Sequence, residues 1–193
     1  MNPAFHPHWW HFQQAARCIE QGGVIAYPTE AVWGLGCDPW NPEAVERLLD
    51  LKDRPMGKGL ILVAADEDQL AFLLDDQSRE LRETASRYWA RPEAVSLLMP
   101  DPRGRIPHWI RGDHDKVLVR VSHHPLVQGL CRAYGGPVVS SSCNPGGRPP
   151  ARRSWQVQRY FRSELDGLMP GATGAARRPS VILDPQTGRQ LRS

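Results

Sequence analysis

The chain has 193 residues, 40% of them hydrophobic and 23% charged, with a formal net charge of +3. A chain of that length can bury roughly 70% of its unfolded surface around one core, so a single domain over 1–193 with a core of about 10–190 is expected. The charge balance excludes a polycationic nucleic-acid coat, and no apolar run approaches the ~18 residues of a membrane span.

The first eleven residues lack the cationic start and apolar stretch of a secretion signal, which points to a cytoplasmic protein. Cys18, Cys37, Cys131 and Cys143 have neither CxxC nor Cys/His spacing, so no zinc site or disulfide framework is indicated. His6, His8 and His11 precede the first expected helix, and no metal role is assigned to them.

Residues 12–21 carry Phe12, Ala15, Ala16 and Ile19 at helical spacing, and Gly22-Gly23 supplies the stop. Residues 24–27 read as a short buried strand ended by Pro28. Residues 29–36, with two glycines, read as a turn-rich segment of the kind that meets ligands at strand ends. Asn41 and Pro42 are an N-cap and a first-turn proline for a helix striped by Ala44, Val45, Leu48 and Leu49. That helix delivers Lys52 and Arg54 at its C-terminal end, where Pro55 closes it. The apolar run 60–64 predicts a strand buried on both faces.

Further helices are expected near 66–74, 78–88, 125–134 and 154–161, with strands near 95–99, 117–121, 137–141 and 181–184. Residues 100–112, rich in Pro and Gly, argue against a simple βαβ ladder. The pattern predicts an α/β fold: a twisted mixed sheet flanked by helices, with a short tail after Asp184 that is packed or mobile.

Lys52, Arg54 and Lys58 are three cations in and beside a loop, suited either to a polyphosphate or to the last carbonyls of the helix. Residues 138–147 run from an apolar strand into Ser140, Ser141, Ser142, Cys143 and Asn144. This strand end has neither P-loop nor GxGxxG spacing, and reads equally as a ligand loop or a serine-rich turn. Arg120 lies inside an apolar strand and needs an acidic side chain or a bound anion, for which a substrate carboxylate would serve. Ser122 is the expected N-cap of the next helix, with His123 and His124 given surface roles. No Ser/His/Asp arrangement supports a hydrolase. Seven arginines between 148 and 178 face only Glu164 and Asp166, either as a solvated surface or as one that meets phosphate or RNA.

In order, PTEAVWGLG (28–36), LKDRP (51–55), KGLILVA (58–64), VRVSHHPL (119–126) and SSSCNPGGRPP (140–150) resemble the YrdC-like family, nearest to its short bacterial form. The resemblance runs over nearly the whole chain. It implies a single YrdC-like α/β domain with a deep basic cavity and the activity of a nucleotidyltransferase. L-threonine and bicarbonate would form threonylcarbamate, which attacks the α-phosphate of ATP to give L-threonylcarbamoyladenylate and pyrophosphate. A tRNA threonylcarbamoyltransferase complex would then carry the group to position 37 of tRNA.

Matched position by position, the resemblance implies that Thr29, Arg120, Ser140 and Ser180 contact threonine. It likewise implies that Lys52, Arg54, Lys58, Ser142, Asn144 and Arg192 contact ATP, with Mg²⁺ accompanying the nucleotide and no protein metal site. Several positions depart from the pattern. Residues 90–96, ARPEAVS, stand where relatives read Pro-Gly-Pro-x-Thr, leaving Ser96 to supply the hydroxyl. Cys143 replaces an alanine, Pro145 and Gly146 replace Leu-Ser, and Lys116 stands where a small hydroxyl residue is frequent. Lys116 would either add a phosphate contact or obstruct the nucleotide. The competing readings are a non-catalytic RNA-binding protein of the same fold, in contact with tRNA, and a carbamoyl-adenylate enzyme of hydrogenase maturation. The latter would need further domains.

Overall fold

The computed structural model describes residues 9–192. The first helix, α1 (Trp9–Glu20), begins three residues before the apolar stripe at Phe12, because its opening turn is exposed and burial leaves no periodic trace there. His11 therefore lies within α1 rather than ahead of it, while His6 and His8 fall outside the described residues.

The strands are β1 (Ile25–Pro28), β2 (Trp33–Gly36), β3 (Ile61–Ala64), β4 (Val95–Pro100), β5 (Lys116–Val121), β6 (Val138–Ser142), β7 (Gly167–Leu168), β8 (Val181–Leu183) and β9 (Gln190–Arg192). They form one mixed sheet in the order β7-β1-β2-β6-β3-β5-β4-β8-β9. The β1–β7, β3–β5 and β4–β8 pairs are parallel and the remaining neighbours antiparallel.

Helices α2 (Pro42–Leu51), α3 (Ala71–Leu74), α4 (Arg79–Trp89), α5 (His108–Arg111), α6 (Pro125–Tyr134) and α7 (Ser154–Phe161) complete the fold. Successive strand residues point to opposite faces. Ala26, Leu62 and Ala64 accordingly join one apolar cluster with α2, α4 and α7, while Ile25, Tyr27 and Val63 join a second with α1 and α6. Helices thus cover both faces. Among the described residues no helix is long and apolar enough to cross a membrane.

Asn41 caps α2 as its sequence predicts, its side-chain oxygen accepting the Ala44 N–H at 3.1 Å. Other elements differ from expectation. Residues 33–36 form a strand rather than part of a turn-rich segment, and their glycines are needed for close approach. A Cβ at Gly36 would lie 2.5 Å from the Val139 carbonyl and 2.6 Å from the Tyr27 ring. The expected helix 66–74 is a 3-10 turn over Asp68–Leu70 followed by the single turn α3. The Pro- and Gly-rich stretch holds the short α5, and the tail returns as β9 against β8. The two- and three-residue elements β7 and β9 are too short to show periodicity.

Gly36→Ala should therefore lose about 1–3 kcal/mol of stability from overpacking between β1 and β6. Urea unfolding measures this, and a wild-type midpoint would contradict the packing described.

Candidate functional site

An open cavity of about 260 Å³ lies where the β1–β2 link, β5 and the end of β6 meet residues 178–180. Of the residues singled out by sequence, it gathers Thr29, Arg54, Arg120, Ser140, Ser142 and Ser180. Lys52, Lys58 and Asn144 do not line it. Arg192 ends β9, and its side chain lies outside the described residues.

The β1–β2 link is tied by Thr29, whose backbone N–H and hydroxyl both donate to the Val32 carbonyl, at 3.1 and 2.8 Å. This spends the hydroxyl proton and leaves the Thr29 oxygen as an acceptor. The next residue is one that residue-type reasoning did not single out. Glu30 places Oε2 3.4 Å from the Arg120 guanidinium, whose side chain is 8% exposed, and its Oε1 accepts the Ser122 hydroxyl at 2.5 Å. The buried arginine thus has an acidic partner inside the fold. Burial alone would raise the Glu30 pKa, but Arg120, Ser122 and backbone donors outweigh it and hold the carboxyl below its ordinary range. Among the described residues neither Glu30 Oε2 nor Arg120 Nε has a hydrogen-bond partner, although both are buried. Such unsatisfied groups beside a cavity suit a ligand.

Ser122 is not the N-cap of α6; that position is His124. The Ser122 oxygen instead accepts the His124 N–H at 3.2 Å while its proton goes to Glu30. His124 is buried rather than on the surface, and the exposed His123 reaches the Trp89 carbonyl at 2.6 Å.

On the opposite wall, β6 carries Ser140 and Ser142 into the cavity. The loop beyond β6 is pinned by Lys52, the C-cap of α2. Its ammonium donates to the Ser142 carbonyl and, at 2.9 Å, to that of Asn144. Burial lowers the Lys52 pKa to about 8, opposed by Cys143 and aided by Arg54. Asn144 spends its amide protons on the Pro145 and Arg148 carbonyls, at 3.0 and 2.9 Å. These two side chains build the loop. Arg54 faces the cavity, steadied by the Gly59 carbonyl at 2.7 Å, whereas Lys58 is exposed.

Ser180 shares a 2.8 Å hydrogen bond with Ser96, which is fully buried. Ser96 therefore sits behind Ser180, and Ala94 is the residue of 90–96 on the cavity wall. Lys116 neither reaches the cavity nor obstructs it, because its Nζ pairs with Asp184 at 2.8 Å. Arg178 is the one member of the arginine-rich region that lines the cavity.

The Sua5/YciO/YrdC family model, described as "Telomere recombination", matches residues 17–193. A threonylcarbamoyl-AMP synthase of Marinobacter nauticus is 54% identical over 96% of this chain and 97% of its own length. One of Stutzerimonas stutzeri is 52% identical over 95% and 97%. Among solved structures, P. abyssi Sua5 complexed with L-threonine matches with a TM-score of 0.82 and 29% identity, over 91% of this chain but only 51% of that one. This chain thus spans about half the length of that Sua5. E. coli YciO shares the fold at a TM-score of 0.81 and 21% identity, over 97% of this chain and 91% of its own.

Glu30→Gln should cost about 3 kcal/mol at neutral pH by stranding the Arg120 charge. The Glu30 pKa is depressed in the folded state, so its stabilisation is complete above the ordinary value of 4.5 and lost as pH falls through the lower folded-state value. Urea midpoints taken across that range should show the gap between wild type and Glu30→Gln closing in acid. A constant gap would contradict the ion pair.

Proposed function

The chain belongs to the Sua5/YciO/YrdC family, and on that premise we propose that it is a threonylcarbamoyl-AMP synthase using L-threonine, bicarbonate and ATP. The relatives of M. nauticus and S. stutzeri bearing that name support the reading, as does the L-threonine held by P. abyssi Sua5. The observation that carries it is one cavity lined by both a buried and a half-buried arginine, Arg120 and Arg54, together with Ser140, Ser142 and Ser180. An amino acid and a phosphate chain each need such a cation, and a reaction between them needs both in one hollow.

Arg120, held by Glu30 and with Nε free to donate, takes the threonine carboxylate. Thr29, Ser140 and Ser180 orient the remainder of the amino acid. The deprotonated amine attacks the bicarbonate carbon and water leaves, giving threonylcarbamate. A carbamate oxygen then attacks the α-phosphorus of ATP, the bond to the β-phosphate oxygen breaks, and pyrophosphate departs. Arg54, with Ser142 beside it, neutralises charge developing on the phosphates. No protein nucleophile is used, and catalysis rests on positioning and charge. Lys52 and Asn144 contribute by fixing the end of β6, which carries Ser142, and the loop beyond it.

Among the described residues no group of three His, Cys, Asp or Glu is placed to hold a metal. On this reading Mg²⁺ would accompany ATP as part of the substrate. The adenylate passes to a threonylcarbamoyltransferase complex acting on tRNA.

Pyrophosphate release from ATP and bicarbonate should depend on L-threonine; release indifferent to threonine would sink the assignment. Arg54→Ala should lower kcat/KM at least about 100-fold. Cys143→Ala, which changes a fully buried thiol outside the cavity wall, should stay within about twofold of wild type.

A further inference from the structure

A second hollow, of about 230 Å³, opens between residues 148–149 and α7. Its walls are Arg148, Pro149, Trp155, Gln156, Arg159 and Tyr160. The frame is fixed: the Tyr160 hydroxyl donates to the Pro149 carbonyl at 3.0 Å, and Gln156 Oε1 accepts the N–H groups of Arg152 and Arg153 at 2.8 and 3.0 Å. What the frame presents is unspent. Trp155 is 54% exposed, and among the described residues neither its indole nor the guanidinium groups of Arg148 and Arg159 make a hydrogen bond or ion pair.

Some surface arginines elsewhere in this protein are paired with carboxylates. Arg47 meets Asp166 at 2.6 Å, and Arg103 and Arg105 meet Asp76 at 3.1 and 3.0 Å. Near the second hollow the sequence withholds partners. No Asp or Glu occurs from 116 to 163, while arginines stand at 148, 152, 153, 159 and 162. A tryptophan on the surface costs solubility, and uncompensated arginines repel one another, so an exposed indole sharing a hollow with two of them suits a ligand that is both planar and anionic.

We propose that Trp155, Arg148 and Arg159 form a binding site for single-stranded nucleic acid, with a base stacked on the indole and flanking phosphates on the two guanidinium groups. A free nucleotide would leave Arg153 and Arg162, near the two ends of α7, unused, whereas a strand running along α7 would extend toward them. An acidic peptide would engage the arginines but has no ring for Trp155. The site is separate from the catalytic cavity yet shares a wall with it: Pro149 lines the second hollow and Pro150 the first. A bound strand therefore lies against the loop that Lys52 pins. The proposal does not depend on the adenylate chemistry.

Fluorescence anisotropy with labelled 12-mers of oligouridylate and oligothymidylate tests it on the full chain. Trp155→Ala should weaken binding at least about fivefold, as loss of one stacked base does, while Trp155→Phe keeps most of it. Arg148→Ala with Arg159→Ala should reduce the slope of log affinity against log salt by about 1.4, or about 0.7 for each lost phosphate contact. The oligomer bound more tightly identifies the sugar recognised. Threonine-dependent pyrophosphate release should be unchanged in Trp155→Ala, and circular dichroism should match wild type. No binding by wild type at about 50 mM salt, or variants that bind as wild type does, would overturn the site.

Discussion

Arg120 lies on β5 at 6% exposure, in the interior of a sheet covered by helices on both faces. A guanidinium in that position must be neutralised within the fold or by a ligand, since desolvating an uncompensated charge would cost several kcal/mol. Glu30 answers part of that demand from the β1–β2 link, and Ser122 ties the carboxylate to the turn leading into α6. One network therefore holds together two pieces of chain about 90 residues apart, the β1–β2 link and the end of β5, and the cavity opens over their junction. It is also incomplete, since among the described residues Glu30 Oε2 and Arg120 Nε have no hydrogen-bond partner. Polar capacity that a folded protein leaves unspent in its interior is where a substrate can be paid in kind.

The second organising contact is made by Lys52. Cations at a helix C-terminus commonly satisfy the last carbonyls, but this ammonium reaches across to the loop after β6. Lys52 and Arg54, two residues apart, consequently have different work. Lys52 is consumed in fixing backbone, and Arg54 remains on the cavity wall. The same division separates Asn144, which folds its own loop, from Ser142, which faces the hollow. Pre-organised donors of this kind need little reorganisation when charge develops on a substrate.

Much of the architecture was legible from periodicity and capping chemistry. Asn41 and Pro42 mark the start of α2, and the apolar run at 60–64 marks β3, because these signals are local. Strand β2 was hidden because Gly34 and Gly36 read as turn residues, while their actual reason is the Tyr27 ring lying against them. Ser122 stands at a cap-like position before a helix, yet its hydroxyl is drawn to Glu30, a partner 92 residues away. A sequence pattern carries no information about such a competition.

For the site, the sequence by itself determined that Arg120 needed a counter-charge, that hydroxyls cluster at 140–142, and that the ordered motifs resemble one family. These follow from residue chemistry and order alone. It did not determine which of 21 acidic residues would meet Arg120, that Lys52 would face a loop rather than the cavity, or that Lys116 would be taken by Asp184. Those choices were made by the sheet order, which sets β5 beside β3 and β4 and brings the β1–β2 link over it. Long-range pairing decides which charges meet, and only the folded chain contains it.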